Sequence, residues 1–162
     1  MLVGGNFLIL AIGCDHGGFE LKGPIIKFLK GMGHEVIDFG TDSDKAVDYP
    51  DYALAVGKAV IEGKADRGIV ICGSGVGASV AINKIPGIRA GLCHDTFSAH
   101  QGKEDDDTNV LCLGARVIGI QLALDVVKTW VNAEFSGAER HVRRLEKVRL
   151  IEQEFLDRSA IK

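Results

Sequence analysis

The sequence predicts a doubly wound, Rossmann-like α/β domain, a three-layer sandwich built around a five-stranded parallel sheet. Three observations predict it. Short, nearly continuous apolar runs of strand length alternate with segments of helical period. Runs without polar alternation mark strands covered on both faces, as in parallel sheets. The strand–helix alternation fills 162 residues, which suits one domain, residues 1–162, around a single core.

Each element has its own signal. The expected strands are Leu8–Gly13, Glu35–Phe39, Gly68–Cys72, Arg89–Cys93 and Val110–Leu113. Leu21, Ile25, Phe28, Leu29 and Met32 form the first helical stripe, closed by Gly33, with Pro24 expected in the first turn. Pro50 opens a second helix to about Glu62, with Val56, Ala59 and Val60 inward and Gly63 as its stop. Gly77–Asn83 is a third, short helix, and Thr96–Gly102 a fourth. Ala123, Val126, Val127, Trp130 and Val131 make a fifth stripe. A last helix, residues 139–157, carries Leu145, Val148, Ile151 and Phe155 on one face and dense charge elsewhere. It follows no further strand, so it packs on its own domain or on a partner subunit.

Composition narrows the partners. A net charge of −3 and a pI near 5.9 argue against nucleic acid. The apolar start ends at Asp15-His16, short of the roughly 20 residues a membrane span needs. No Lys or Arg precedes Lys22, so the basic region of a secretion signal is missing. Residues 1–6 are expected as a disordered extension, and the chain as cytoplasmic. Cys14, Cys72, Cys93 and Cys112 form no C-x-x-C pair and are expected as reduced thiols. For each of them a small buried core residue is the plain alternative.

Glycine is in excess, at 21 residues against 3 Pro. Ligands of doubly wound sheets bind at the carboxyl ends of the strands, and many of these glycines fall there. Ile71-Cys72-Gly73-Ser74-Gly75-Val76-Gly77 joins a strand to a helix. Alternate glycines let backbone N–H groups converge on an anion. Cys72 faces the same space, and a helix N-terminus favours its thiolate. A base, a hydroxyl and a nest of donors suit proton abstraction beside a carbonyl, with the enediolate held by N–H groups. The loop also fits G-x-G-x-x-A with Ala78, a dinucleotide fingerprint, but on the third strand instead of the usual first.

Further motifs stand in order around this loop: Gly13-Cys14-Asp15-His16-Gly17-Gly18, Val47-Asp48-Tyr49-Pro50-Asp51-Tyr52 and Ala81-Ile82-Asn83-Lys84-Ile85-Pro86-Gly87-Ile88-Arg89. Thr108-Asn109-Val110, Gly114-Ala115-Arg116-Val117-Ile118-Gly119 and Arg140-His141-Val142-Arg143-Arg144 complete the series. Together they resemble ribose-5-phosphate isomerase type B, in the family that also holds the two galactose-6-phosphate isomerase subunits. The resemblance runs from about Leu8 to Val148. It implies ribose 5-phosphate and ribulose 5-phosphate interconverted through a cis-enediolate, with no metal or organic cofactor. It makes Cys72 the base, since Ala78 fills the place where some members carry a glutamate. It makes Ser74 a catalytic partner, and Gly73, Ser74, Gly75, Val76 and Gly77 the enediolate loop. Asp15 and His16 would touch the sugar, while Arg116, Arg140 and Arg144 would bind its phosphate. Family members are dimers or tetramers whose sites borrow residues from a neighbouring subunit. Independently of the resemblance, Arg140 and Arg144 share a helix face, which suits a phosphate between them or a solvated charged face.

One segment departs from the family pattern. Lys103-Glu104-Asp105-Asp106-Asp107-Thr108-Asn109 places Asp105 where the family carries a ring-opening histidine, and Asp106 in the substrate-binding place after it. Three readings compete: Asp105 acts as the acid/base, His100 or His94 takes over, or the substrate is an open-chain or different sugar phosphate. Allose or galactose 6-phosphate, or a non-catalytic sugar-phosphate-binding homologue, are the alternatives that follow.

Overall fold

Five strands form one all-parallel sheet among the residues described, 6–160, of the computed structural model: β1 (Ile9–Cys14), β2 (Glu35–Asp38), β3 (Arg67–Cys72), β4 (Ala90–Leu92) and β5 (Val110–Gly114). The order across the sheet is β2-β1-β3-β5-β4. The three central strands lie almost wholly in the interior, which is why their sequences read as unbroken apolar runs. Every expected strand is present, shifted at its ends by at most one residue. The expected extension over residues 1–6 lies outside the described residues except for Asn6.

Among the described residues six helices accompany the strands: α1 (Phe19–Gly31), α2 (Tyr49–Ile61), α3 (Val76–Ile82), α4 (Thr96–Asp106), α5 (Ile120–Asn132) and α6 (Glu139–Ala160). Right-handed crossovers decide which face each covers. The steps β1 to β2 and β4 to β5 move one way across the sheet, and α1 and α4 cover one face together with α5. The steps β2 to β3 and β3 to β4 move the other way, and α2 and α3 cover the opposite face. Two apolar cores result. Leu10, Ile12, Leu29, Leu111 and Trp130 belong to one, and Ala11, Val56, Val70, Ala78 and Ile82 to the other. All five residues of the predicted α5 stripe are buried.

Two expectations need correction. Pro24 lies in the second turn of α1, because the helix begins at Phe19, with Leu21 and Lys22 N–H groups already donating to the Gly18 carbonyl. The helix α4 runs a turn beyond Gly102. Lys103 pairs with Asp107 four residues on, and Asp107 closes the helix at φ +45° while Thr108 N–H donates to the Gly102 carbonyl.

The outlier is α6. Val142, Val148, Ile151 and Phe155 are each about half exposed on it. It is tied to the domain at its first turn and again where Gly87 N–H donates to the Glu152 carboxylate at 3.1 Å. No helix among the described residues is long and apolar enough to cross a membrane.

Candidate active site

The chain leaves β1 toward one edge of the sheet and returns through β3 toward the other, so the loops after these two strands diverge at a switch point. There the backbones meet closely. A Cβ on Gly18 would lie 2.4 Å from the Ile71 carbonyl oxygen, and one on Gly17 would lie 2.9 Å from Gly73 N. Glycine is required where two loops are this close.

A cleft of about 310 Å³ opens at this point, lined by Asp15, Tyr49, Cys72, Gly73, Ser74, Gly77, Arg116 and Val117. That is the size of a small-ligand site. Cys72 ends β3, only 4 % exposed, and its Sγ accepts the Gly75 N–H at 3.0 Å. Gly75 stands at φ +78°, with Leu113 and Leu92 filling the space a side chain would need. Ser74 Oγ accepts the Val76 N–H at 3.3 Å. The loop is clamped to the end of β5, where Ala115 N–H donates to the Cys72 carbonyl and Arg116 N–H to that of Gly73, both at 2.9 Å. The Arg116 guanidinium lies over Gly73, 3.4 Å from where a Cβ would stand. Burial pushes the other thiols up: Cys14 and Cys93 to about 11, and Cys112 further still. Cys72 is the cysteine that lines the cleft.

Asp15 is buried, its Oδ1 accepting Gly18 N–H at 3.1 Å. His16 lines an adjoining cleft of about 320 Å³ that shares Arg116. Its Nδ1 accepts Val47 N–H at 3.2 Å, which leaves Nε2–H as the free donor. Tyr49 also lines the cleft, a residue of the Val47–Tyr52 motif to which the sequence assigned no site role. Its ring lies against Gly77, 2.9 Å from where a Cβ would stand. The signal was there in two parts, an aromatic residue just before Pro50 and a glycine in the facing loop. Leu92, Leu113 and Tyr49 occupy the space that side chains at Gly75 and Gly77 would need.

Asp105, Asp106, Arg140 and Arg144 do not join this cleft. Asp105 and Asp106 end α4 at the amino end of β5, whereas Cys72 pairs with Gly114 at its carboxyl end. About 13 Å of strand separates the two levels. Asp105 Oδ1 lies 3.4 Å from His141 Nδ1 on α6. Arg140 and Arg144 are exposed, and among the described residues neither has a carboxylate partner, unlike Arg149 and Arg158 further along. The other histidines are committed. His94 Nε2 accepts Gly114 N–H at 2.8 Å, and burial holds the ring below its usual range. His100 pairs with Glu104 at 3.0 Å.

Known proteins share this fold and much of its sequence. The chain is 49 % identical to ribose-5-phosphate isomerase B of Escherichia coli over 144 residues, covering 89 % of this chain and 96 % of that one. It is 41 % identical to D-erythrulose-4-phosphate isomerase of Pectobacterium atrosepticum over 131 residues, 80 % and 86 % of the two chains. The solved structure of ribose-5-phosphate isomerase B from Clostridium thermocellum superposes with a TM-score of 0.89 at 52 % identity, covering 91 % of this chain and 99 % of that one. The family model for ribose/galactose isomerases matches residues 10–148, a span that takes in the switch-point loops, the Cys72 cleft and the first turns of α6. The chain belongs to the ribose/galactose isomerase family.

Proposed function

We propose that this sugar-phosphate isomerase is a single-domain enzyme interconverting ribose 5-phosphate and ribulose 5-phosphate, with Cys72 as its base. The observation that carries the reading is the thiol itself. Of the four cysteines it lines the cleft, and it already receives a backbone N–H that a thiolate would accept more strongly. In the forward direction the thiolate removes the C2 proton from the open-chain aldose. The electron pair moves into the C1–C2 bond and the carbonyl oxygen becomes an enediolate oxygen. The loop Gly73–Gly77 offers that oxygen the N–H groups of Gly73, Ser74 and Gly77, while those of Gly75 and Val76 hold Cys72 Sγ and Ser74 Oγ in place. Ser74 Oγ relays the hydroxyl proton, and the Cys72 thiol returns its proton at C1. Asp15, His16 and Tyr49 hold the sugar hydroxyls, with Arg116 beside the loop.

The phosphate falls to Arg140 and Arg144 from a second copy of the chain, which also brings Asp106 to the substrate. Support comes from the strand length between the two clusters and from the apolar residues that α6 leaves exposed. The test is proton exchange at C2 of ribose 5-phosphate, followed by NMR in deuterated water, with six-carbon sugar phosphates run in parallel. Cys72→Ala is expected to abolish exchange while leaving sugar-phosphate binding in place. Exchange retained in that variant would overturn the assignment of the base.

A further inference from the structure

Asp105 is held in a cluster of its own. His141 is 2 % exposed, and its Nδ1 lies 2.7 Å from Ser136 Oγ and 3.4 Å from Asp105 Oδ1. Ser136 Oγ also accepts the Ala138 N–H, and Ser136 N–H donates to the Glu104 carbonyl in the last turn of α4 at 3.0 Å. His141 N–H donates to the Ala138 carbonyl at 2.8 Å, inside the turn that starts α6. A hydroxyl at 2.7 Å and a carboxylate at 3.4 Å from one ring nitrogen hold the imidazole in one orientation. Two links therefore bind the start of α6 to the end of α4: Ser136 to Glu104, and His141 to Asp105. Arg140 directly precedes His141, and Arg144 stands one turn beyond Arg140 on the same face.

We propose that Asp105 is a positioning residue, acting through His141 to set the first turn of α6 and so present Arg140 and Arg144 to phosphate. The role rests on the phosphate reading of those two arginines above. Asp105 then does no acid/base work on the sugar ring. Its carboxylate is engaged by a buried imidazole, and its effect belongs to binding.

The test separates binding from ring chemistry. Ribulose 5-phosphate carries its phosphate on the C5 oxygen, so it cannot close a furanose ring on C2. Exchange of its C1 proton with solvent therefore needs no ring opening, whereas net turnover of ribose 5-phosphate does. Loss of a positioning contact worth about 1.4 kcal/mol corresponds to a tenfold effect. Asp105→Asn is expected to raise KM about tenfold for both processes with kcat within about twofold. It is also expected to weaken inorganic phosphate, measured by calorimetry, to the same degree. In a His141→Asn background the Asp105→Asn change should have no further effect. Ser136→Ala, which keeps the carboxylate, should move KM the same way by less, and serves if Asp105→Asn does not fold. A fall in kcat on ribose 5-phosphate with C1 exchange untouched would overturn the proposal, as would unchanged phosphate affinity. Phosphate affinity needs no turnover. An inactive wild-type chain would sink the isomerase reading and still leave the clamp under test.

Discussion

Gly114→Ala tests how tightly the end of β5 shapes the Cys72 loop. A Cβ at this position would stand 2.5 Å from both the carbonyl carbon and oxygen of Ser74, and 2.9 Å from its Cα. Those atoms are backbone, so no side chain can swing aside. Nor can β5 retreat. Gly114 is paired with Cys72, its N–H is held by His94 at 2.8 Å, and its carbonyl accepts from Val117 and Ile118. Restoring ordinary contact therefore moves the Ser74 peptide by about 1 Å, and a misplacement of that size near reacting atoms costs on the order of 100-fold in rate. Overpacking of this kind costs about 1–3 kcal/mol of stability. At about 2–4 °C per kcal/mol the melting temperature should fall by roughly 2–12 °C. The assays are kcat for ribose 5-phosphate and thermal melts. Gly23→Ala, the same chemical change in α1 with no atom within 4 Å, is the control and should keep full activity. If Gly114→Ala keeps wild-type kcat and wild-type melting, the loop is not held by this contact and the reasoning fails.

Two further perturbations address the frame around the site. Folded His94 and His34 both lie below the usual histidine pKa of about 6.5, each chiefly from burial. The unfolded chain therefore takes up protons first as pH falls, so these groups leave stability intact above about pH 6.5 and withdraw it below. His94→Gln keeps an acceptor for Gly114 N–H but cannot titrate. It should flatten the fall in melting temperature between about pH 7 and 5, and an identical slope in both proteins would contradict this. Arg67 is 5 % exposed and donates to the carbonyls of Trp130, Val131 and Ala133 at 3.0–3.1 Å, closing the end of α5. Arg67→Met leaves those acceptors bare and should cost about 1–3 kcal/mol in urea unfolding; an unchanged urea midpoint would show that water replaces the guanidinium.

How much of the protein could be read in one dimension depended on how local each cause was. Burial on both faces writes itself into β1, β3 and β5 as unbroken apolar runs, so their positions were legible. The α5 stripe was equally plain, because a helix with one buried face repeats its apolar residues on a fixed period. The Cys72 loop was legible because its glycines answer to backbone geometry over a few residues. The strand order was not, since the placement of β5 between β3 and β4 depends on packing between distant segments. The extra turn of α4 was hidden in a run of acids whose helical cap needed the Lys103–Asp107 pair to be seen. Tyr49 stood in a motif before Pro50, but its place in the site showed only in the packing of its ring on Gly77. Asp105 shows the limit most clearly. The family resemblance set it in a ring-opening position and marked it as the place where the pattern broke. Which group its carboxylate meets was decided only when α6 folded back on α4 and brought His141 beside it. By itself the sequence determined the strands, the helical stripes and the thiol-bearing loop, because period and turn chemistry act between near neighbours. Tertiary structure alone decided what Asp105 and Tyr49 touch, because such contacts form only where distant segments pack together.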